Sequence, residues 1–193
     1  KKVAFIGMGL INSSLVRDLK KCNFYNYASA YTRRTSTINK VKRLKLVNYV
    51  GNDLKKVIDG ADLIIIGIPV AAYKEVFKKM YNIIKPGAII TDVGSVKKEV
   101  IKKVIKLIPK DVNFIPGHPI AGTENSGPES GFASLFDNRW CLLTPLKDCS
   151  RESIRMLRSF WEELGAKVDE MDAEHHDLVL AVTSHVPHLI AYT

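Results

Sequence analysis

Short apolar runs alternate along this chain with stretches whose apolar residues recur at helical spacing. The runs at 3–6, 27–31, 63–66, 88–91, 113–115, 140–143 and 166–168 predict strands, with another short one at 47–50. The stretches 10–19, 37–46, 53–58, 70–84, 97–107 and 151–164 predict helices. Leu63-Ile64-Ile65-Ile66 has no polar position at all, as parallel strands covered on both faces do. This alternation predicts an α/β fold with a doubly wound, mostly parallel sheet. From Asp172 a long helix begins, interrupted near Pro187. The chain therefore divides into a sheet domain over 1–171 and, over 172–193, the first helix of an all-helical second domain. It lacks an initiator Met and stops inside an apolar helical pattern, so it reads as the front part of a longer protein.

In such a sheet, ligands bind at the carboxyl ends of the strands. The loops at Gly7, Gly67, Gly94 and Gly117 each follow a predicted strand, so all four are expected along one edge. Gly7-Met8-Gly9-Leu10-Ile11-Asn12 joins the first strand to the first helix. Its glycines permit a tight turn and close approach of backbone N–H groups to a pyrophosphate, and the helix N-terminus stabilises the negative charge. This makes the sheet Rossmann-type, although Asn12 replaces the third glycine of the fingerprint. An NAD site places an acid about 20 residues further on, for the ribose 2′-hydroxyl. Here Thr32-Arg33-Arg34 stands at that point, and no acid occurs between Asp18 and Asp53. Two guanidinium groups and a hydroxyl suit a 2′-phosphate. The expected cofactor is NADP, with NAD as the alternative. Pro69, after the fourth strand, is expected to flank the cofactor's ribose and nicotinamide side.

Composition narrows the class. Hydrophobic residues make up 46% and charged residues 25%, as in soluble globular domains. The 29 Lys+Arg against 20 Asp+Glu give +9, which favours anionic ligands. The lysines at 97, 98, 102, 103 and 106 read as a solvated helix face, without the interleaved aromatics of a nucleic-acid platform. The apolar stretch 178–193 contains Ser184, His185, Pro187 and His188 and reads poorly as a membrane span. Cys22, Cys141 and Cys149 have no metal-like or redox-like spacing and fit free thiols in a reducing cytoplasm.

Two segments carry candidate chemistry. In Asp92-Val93-Gly94-Ser95-Val96-Lys97, Ser95 either caps the helix that follows or hydrogen-bonds a nearby imidazole or substrate hydroxyl. Gly117-His118-Pro119-Ile120-Ala121-Gly122-Thr123-Glu124 is too rich in Gly and Pro for a helix or an interior strand and reads as a loop. His118 can exchange a proton near neutral pH. His175-His176 and His185-x-x-His188 lack a third ligand, and no metal is expected.

These motifs, with Ser184-His185-x-Pro187-His188, stand in the order and spacing of the prephenate/arogenate dehydrogenases, a family this chain resembles over essentially its whole length. The resemblance implies oxidative decarboxylation of a cyclohexadienol, prephenate or arogenate, with hydride transfer to NADP. It implies that His118 takes the ring-hydroxyl proton and that Ser95 orients His118 and the hydroxyl. It assigns Thr123 and Glu124 to the substrate pocket, and His185 and His188 to the substrate side of the second domain's first helix. Gly7, Gly9, Leu10, Ile11, Thr32, Arg33, Arg34, Pro69 and Ser95 fall on the cofactor side. It also implies a homodimer built by the helical domain. The family's substrate-binding arginine lies in that domain, and no Lys or Arg occurs from 172 to 193.

Two rival readings use the same front domain. A β-hydroxyacid dehydrogenase relies on a lysine in the linking helix, and none is present after Asp172. A non-catalytic NADP-sensing module has no use for His118 and Ser95 beside the nicotinamide.

Overall fold

The computed structural model describes residues 1–22 and 24–182. Six parallel strands form the main sheet: β1 Lys2–Ile6, β2 Tyr27–Tyr31, β3 Tyr49–Gly51, β4 Leu63–Ile66, β5 Ile89–Asp92 and β6 Asn113–Phe114. Their order is β3-β2-β1-β4-β5-β6, the doubly wound order. The helices are α1 Leu10–Leu19, α2 Thr35–Arg43, α3 Leu54–Ile58, α4 Tyr73–Met80, α5 Lys98–Val104, α6 Arg151–Glu163 and α7 Ala173–Leu180.

The unbroken apolar runs exist because successive side chains enter two different cores. Val3, Phe5, Leu63 and Ile65 pack with Leu15 of α1, Val41 of α2 and Leu157, Phe160 and Trp161 of α6. Ala4, Ile6, Ile64 and Ile66 pack on the other face with Val57 of α3, Phe77 of α4 and Val100 of α5. A strand covered on both faces has no solvent side, so alternation disappears.

The structure differs from the sequence expectation at several points, among them Lys97, which is fully buried and not on a solvated helix face. Strands β8 Trp140–Leu143 and β9 Lys167–Glu170 form a separate three-stranded sheet with β7 Gly117–Pro119. Within it β7 is antiparallel to β8, and β9 is parallel to β8. The expected loop around His118 therefore opens as a strand, and Pro119, which has no N–H to donate, sits where prolines are tolerated, on the sheet's edge. The expected helix over 70–84 is a short 3₁₀ turn, Val70–Ala72, followed by α4, which ends at Met80.

Candidate active site

The glycine turn after β1 is built by close backbone approach. The Gly7 amide donates to the Tyr31 carbonyl at 2.9 Å, continuing the β1–β2 ladder past the strand end. Its φ is +91°, and a Cβ would collide with the Gly67 carbonyl oxygen, so only glycine fits. Gly9 precedes α1 with no side-chain cap, and the first turn, with half-buried Leu10 and Ile11, carries no acid. A Cβ on Gly9 would meet nothing within 4 Å. An uncapped helix N-terminus behind open space fits a pyrophosphate. Asn12, in place of the third glycine, is buried, and its Nδ2 donates to the Gly7 carbonyl at 2.8 Å. The neighbouring glycine makes the room: a Cβ on Gly67 would lie 2.5 Å from Asn12 Nδ2.

At the same edge, Thr32 is half-buried beyond β2, and Arg33 and Arg34 are exposed. Helix α2 starts earlier than expected, with Arg34 at its N-cap position. Among the described residues neither guanidinium forms an ion pair. Pro69 is exposed and opens the 3₁₀ turn after β4.

Asp92, the last residue of β5, organises the next part of the rim. Its carboxylate accepts from Lys97 Nζ at 2.7 and 2.6 Å, from the Tyr73 hydroxyl at 3.1 Å, and from the Gly94 and Gly117 amides at 2.9 and 3.2 Å. Lys97 Nζ also donates to the Gly117 carbonyl at 2.6 Å. Burial pushes the Lys97 ammonium below its ordinary value, against the pull of Asp92. Desolvation, with Asp92 beside it, pushes the Tyr73 phenol up, so the phenol stays a hydrogen-bond donor. Both backbone polar groups of Gly117 are thus held by one buried ion pair, which fixes the residue preceding His118.

His118 lines a cleft of about 770 Å³ together with Thr123, Glu124, Phe132, Arg139 and Leu180, among others. Thr123 and Glu124 are exposed on its wall, and the Thr123 hydroxyl accepts from the Asn125 amide at 3.3 Å. His118 Nδ1 lies 3.0 Å from Nε2 of His176 on α7. His176 Nδ1 in turn lies 2.8 Å from Asp177 Oδ1. Burial pushes the His176 imidazole below its ordinary value, against the pull of Asp177. Asp177 also accepts from the Lys97 and Lys98 amides at 2.8 and 2.9 Å, so α7 caps α5.

The segment after the His118 strand is laid on α1. The Phe132 amide donates to Ser14 Oγ at 3.2 Å, the Ser134 amide to Asp18 Oδ1 at 2.7 Å, and Arg17 Nη2 to the Pro128 carbonyl at 3.1 Å. Gly131 packs so tightly that a Cβ would collide with Ser13 Oγ. This explains the buried polar residues Ser13, Ser14 and Asp18 on α1. Burial pushes the Asp18 carboxyl up, opposed by the Ser134 amide. Glu129 adds ion pairs to Lys40 and Arg43 on α2.

The structure thus gathers His118, Thr123 and Glu124 on one cleft and the glycine turn on the same sheet edge. Ser95 is exposed on the segment between β5 and α5. It does not cap α5, which begins at Lys98 and takes its cap from Asp177. Among the described residues no hydrogen bond joins its hydroxyl to His118. His185 and His188 lie outside the described residues. Sequence reasoning missed the Asp92–Lys97 pair, the His176–Asp177 pair and Arg139, the one Lys or Arg lining the cleft among the described residues. The Asp92-to-Lys97 motif and the His175-His176 doublet were visible, but no local signal pairs Asp177 with residues 80 positions away.

The family described as prephenate dehydrogenase, nucleotide-binding domain, matches residues 15–170. A cyclohexadienyl dehydrogenase of Zymomonas mobilis is 40% identical across the whole of this chain, which covers 65% of that relative. The structure of a prephenate dehydrogenase from Aquifex aeolicus, in complex with hydroxyphenyl propionate and NAD+, superposes with a TM-score of 0.91 at 29% identity. That match covers all of this chain and 67% of the other. A Synechocystis arogenate dehydrogenase gives a TM-score of 0.88 at 33% identity, over 97% of this chain and 65% of the other. The chain therefore spans less than two thirds of the length of its Zymomonas relative.

Proposed function

Since this chain belongs to the family of prephenate dehydrogenase nucleotide-binding domains, we propose that it forms the cofactor-binding and proton-accepting part of an enzyme that oxidatively decarboxylates prephenate or arogenate. The observation that carries the reading is the shared rim: the Gly7–Gly9 turn, Gly67 and Asp92 stand at the carboxyl ends of the neighbouring strands β1, β4 and β5, and Asp92 holds the amide of Gly117, the residue before His118.

The nicotinamide cofactor, when bound, supplies the hydride acceptor. His118 takes the proton of the ring hydroxyl as the carbon bearing it is oxidised, and loss of the ring carboxylate as carbon dioxide leaves an aromatic ring. General-base help of this kind contributes about 10²–10⁴-fold, and positioning must supply the rest. The Asp92–Lys97 pair supports that positioning by clamping Gly117. Ser95 orients the substrate hydroxyl, Thr123 and Glu124 shape the cleft, and Arg139 offers a cation to a substrate carboxylate. His185 and His188 reach the substrate from the second domain, which begins near Asp172 and builds a homodimer in the cytoplasm.

The cofactor is NADP. Thr32, Arg33 and Arg34 stand where an NAD site places its acid, and the exposed guanidinium groups suit a 2′-phosphate. Steady-state kinetics of the full-length protein with prephenate and arogenate, each with NADP and NAD, test the whole reading. Turnover with one of the two substrates and a preference for NADP is expected. No turnover with either substrate overturns the activity, and a strong NAD preference overturns the cofactor assignment.

A further inference from the structure

Asp177, His176 and His118 form a line of hydrogen-bonding groups that runs from the N-terminus of α5 to the cleft. Ionised, the Asp177 carboxylate can only accept. It already accepts from the Lys97 amide at 2.8 Å and the Lys98 amide at 2.9 Å, so the 2.8 Å contact requires His176 to donate from Nδ1. A neutral His176 with its proton on Nδ1 has a bare Nε2, which is an acceptor. The group 3.0 Å from that nitrogen is His118 Nδ1, which must then donate. The His118 proton sits on Nδ1, and Nε2 is its basic nitrogen.

We infer that His176 and Asp177 are positioning residues that lock His118 in the Nδ1–H tautomer, with Nε2 as the nitrogen that accepts the substrate proton. This deepens the reading of His118 as the base and rests on it. The logic is that of a carboxylate that orients a catalytic imidazole, extended by one ring. Supporting it, burial disfavours a charged His176, and two imidazolium rings with nitrogens 3.0 Å apart would repel. When His118 becomes cationic, its Nδ1–H points at an acceptor backed by a carboxylate, which stabilises the new charge. His176 is fully buried, so water does not compete for this contact. Because α7 carries both residues, docking of this helix on α5 and the correct tautomer of His118 are one event.

The test reads protonation of each ring nitrogen by long-range ¹H–¹⁵N correlation on the full-length protein labelled with [¹⁵N]histidine, using His118→Asn to identify the His118 signals. The expected wild-type spectrum shows His118 protonated on Nδ1 and bare on Nε2. In His176→Leu the acceptor is gone, so Nε2–H signal appears and kcat falls by at least about tenfold and at most the roughly 10⁴-fold lost when a catalytic histidine is left in the wrong tautomer, with KM for the cofactor unchanged. In His176→Gln the amide oxygen can accept from Nδ1–H, so the tautomer and most of the turnover return. A wild-type His118 protonated on Nε2, or a His176→Leu spectrum unchanged from wild type, overturns the inference without any activity measurement. A tautomer that responds as expected, with wild-type turnover in His118→Asn, overturns the reading of His118 as the base and leaves the lock standing.

Discussion

Lys97 donates to both oxygens of Asp92, and neither side chain has any exposed surface. The pair also holds the Gly117 amide and carbonyl. Removing one partner of a buried ion pair costs about 3–5 kcal/mol, because the remaining charge is left uncompensated. Lys97→Met is therefore expected to lower unfolding stability by about that amount, measured as a shift in the urea midpoint. Turnover of the surviving folded fraction should also fall, because the residue before His118 is no longer held. A stability loss below about 1 kcal/mol would show that Asp92 is neutralised or hydrated without penalty, against the geometry.

His118→Asn separates proton acceptance from binding. The amide cannot take the substrate proton, so kcat is expected to fall by about 10²–10⁴-fold. The glycine turn is untouched, so KM for the cofactor should stay within about twofold of wild type. Ser95→Ala is expected to do less damage, because the proposed mechanism gives Ser95 an orienting role and no proton to accept. An active His118→Asn variant removes this residue from the mechanism.

The sheet was legible because its strands are buried on both faces. Leu63–Ile66 could hardly be anything else, and the order of strands and helices then leaves few topologies. Strand β7 was not legible as a strand, since three residues including a proline carry no pattern, and only pairing with β8 defines it. The glycine turn and His118 were visible from residue types that force a turn or exchange protons. The partners of His118 were not. His176 looked like half of a weak metal doublet, and its function as a hydrogen-bond partner depends on where α7 docks. Likewise, nothing in the neighbouring sequence marks Ser13, Ser14 and Asp18 as buried, because the segment at 128–134 that covers them is distant in the chain.

Arg33 tests the cofactor assignment. A charge-assisted hydrogen bond contributes about 1.5–3 kcal/mol, which corresponds to roughly 10–100-fold in affinity. Arg33→Ser is expected to raise KM for NADP by about that factor while leaving KM for NAD nearly unchanged. Equal effects on the two cofactors would mean that the guanidinium does not meet the 2′-phosphate.

Gly7 and Gly9 separate folding from nucleotide binding within one turn. Gly7 has φ +91°, and a Cβ there has no space, so Gly7→Ala is expected to cost about 2 kcal/mol or more of stability. Gly9 has φ −84° and open space in front of it. Gly9→Ala should therefore leave the unfolding midpoint within about 0.5 kcal/mol of wild type. It should still raise cofactor KM by roughly tenfold, since the methyl occupies the approach to the α1 amides. Equal losses of stability in the two variants would contradict this division.

Asp177 gives an acid-side signature. Burial pushes its carboxyl up, but the Lys97 amide, the His176 ring and the Lys98 amide outweigh burial and hold it below the ordinary carboxylate range. A group whose folded value is depressed adds stability above its unfolded value, about 3.9 for Asp, and loses it as pH falls through the folded value. Wild type should therefore exceed Asp177→Asn in stability at pH 7, and the gap should narrow once the pH drops below about 4. Urea midpoints of both proteins from pH 7 to pH 3 measure the gap. A gap that stays constant over the whole range would mean that the charge of Asp177 is not what caps α5, because an asparagine cap keeps one acceptor oxygen at every pH.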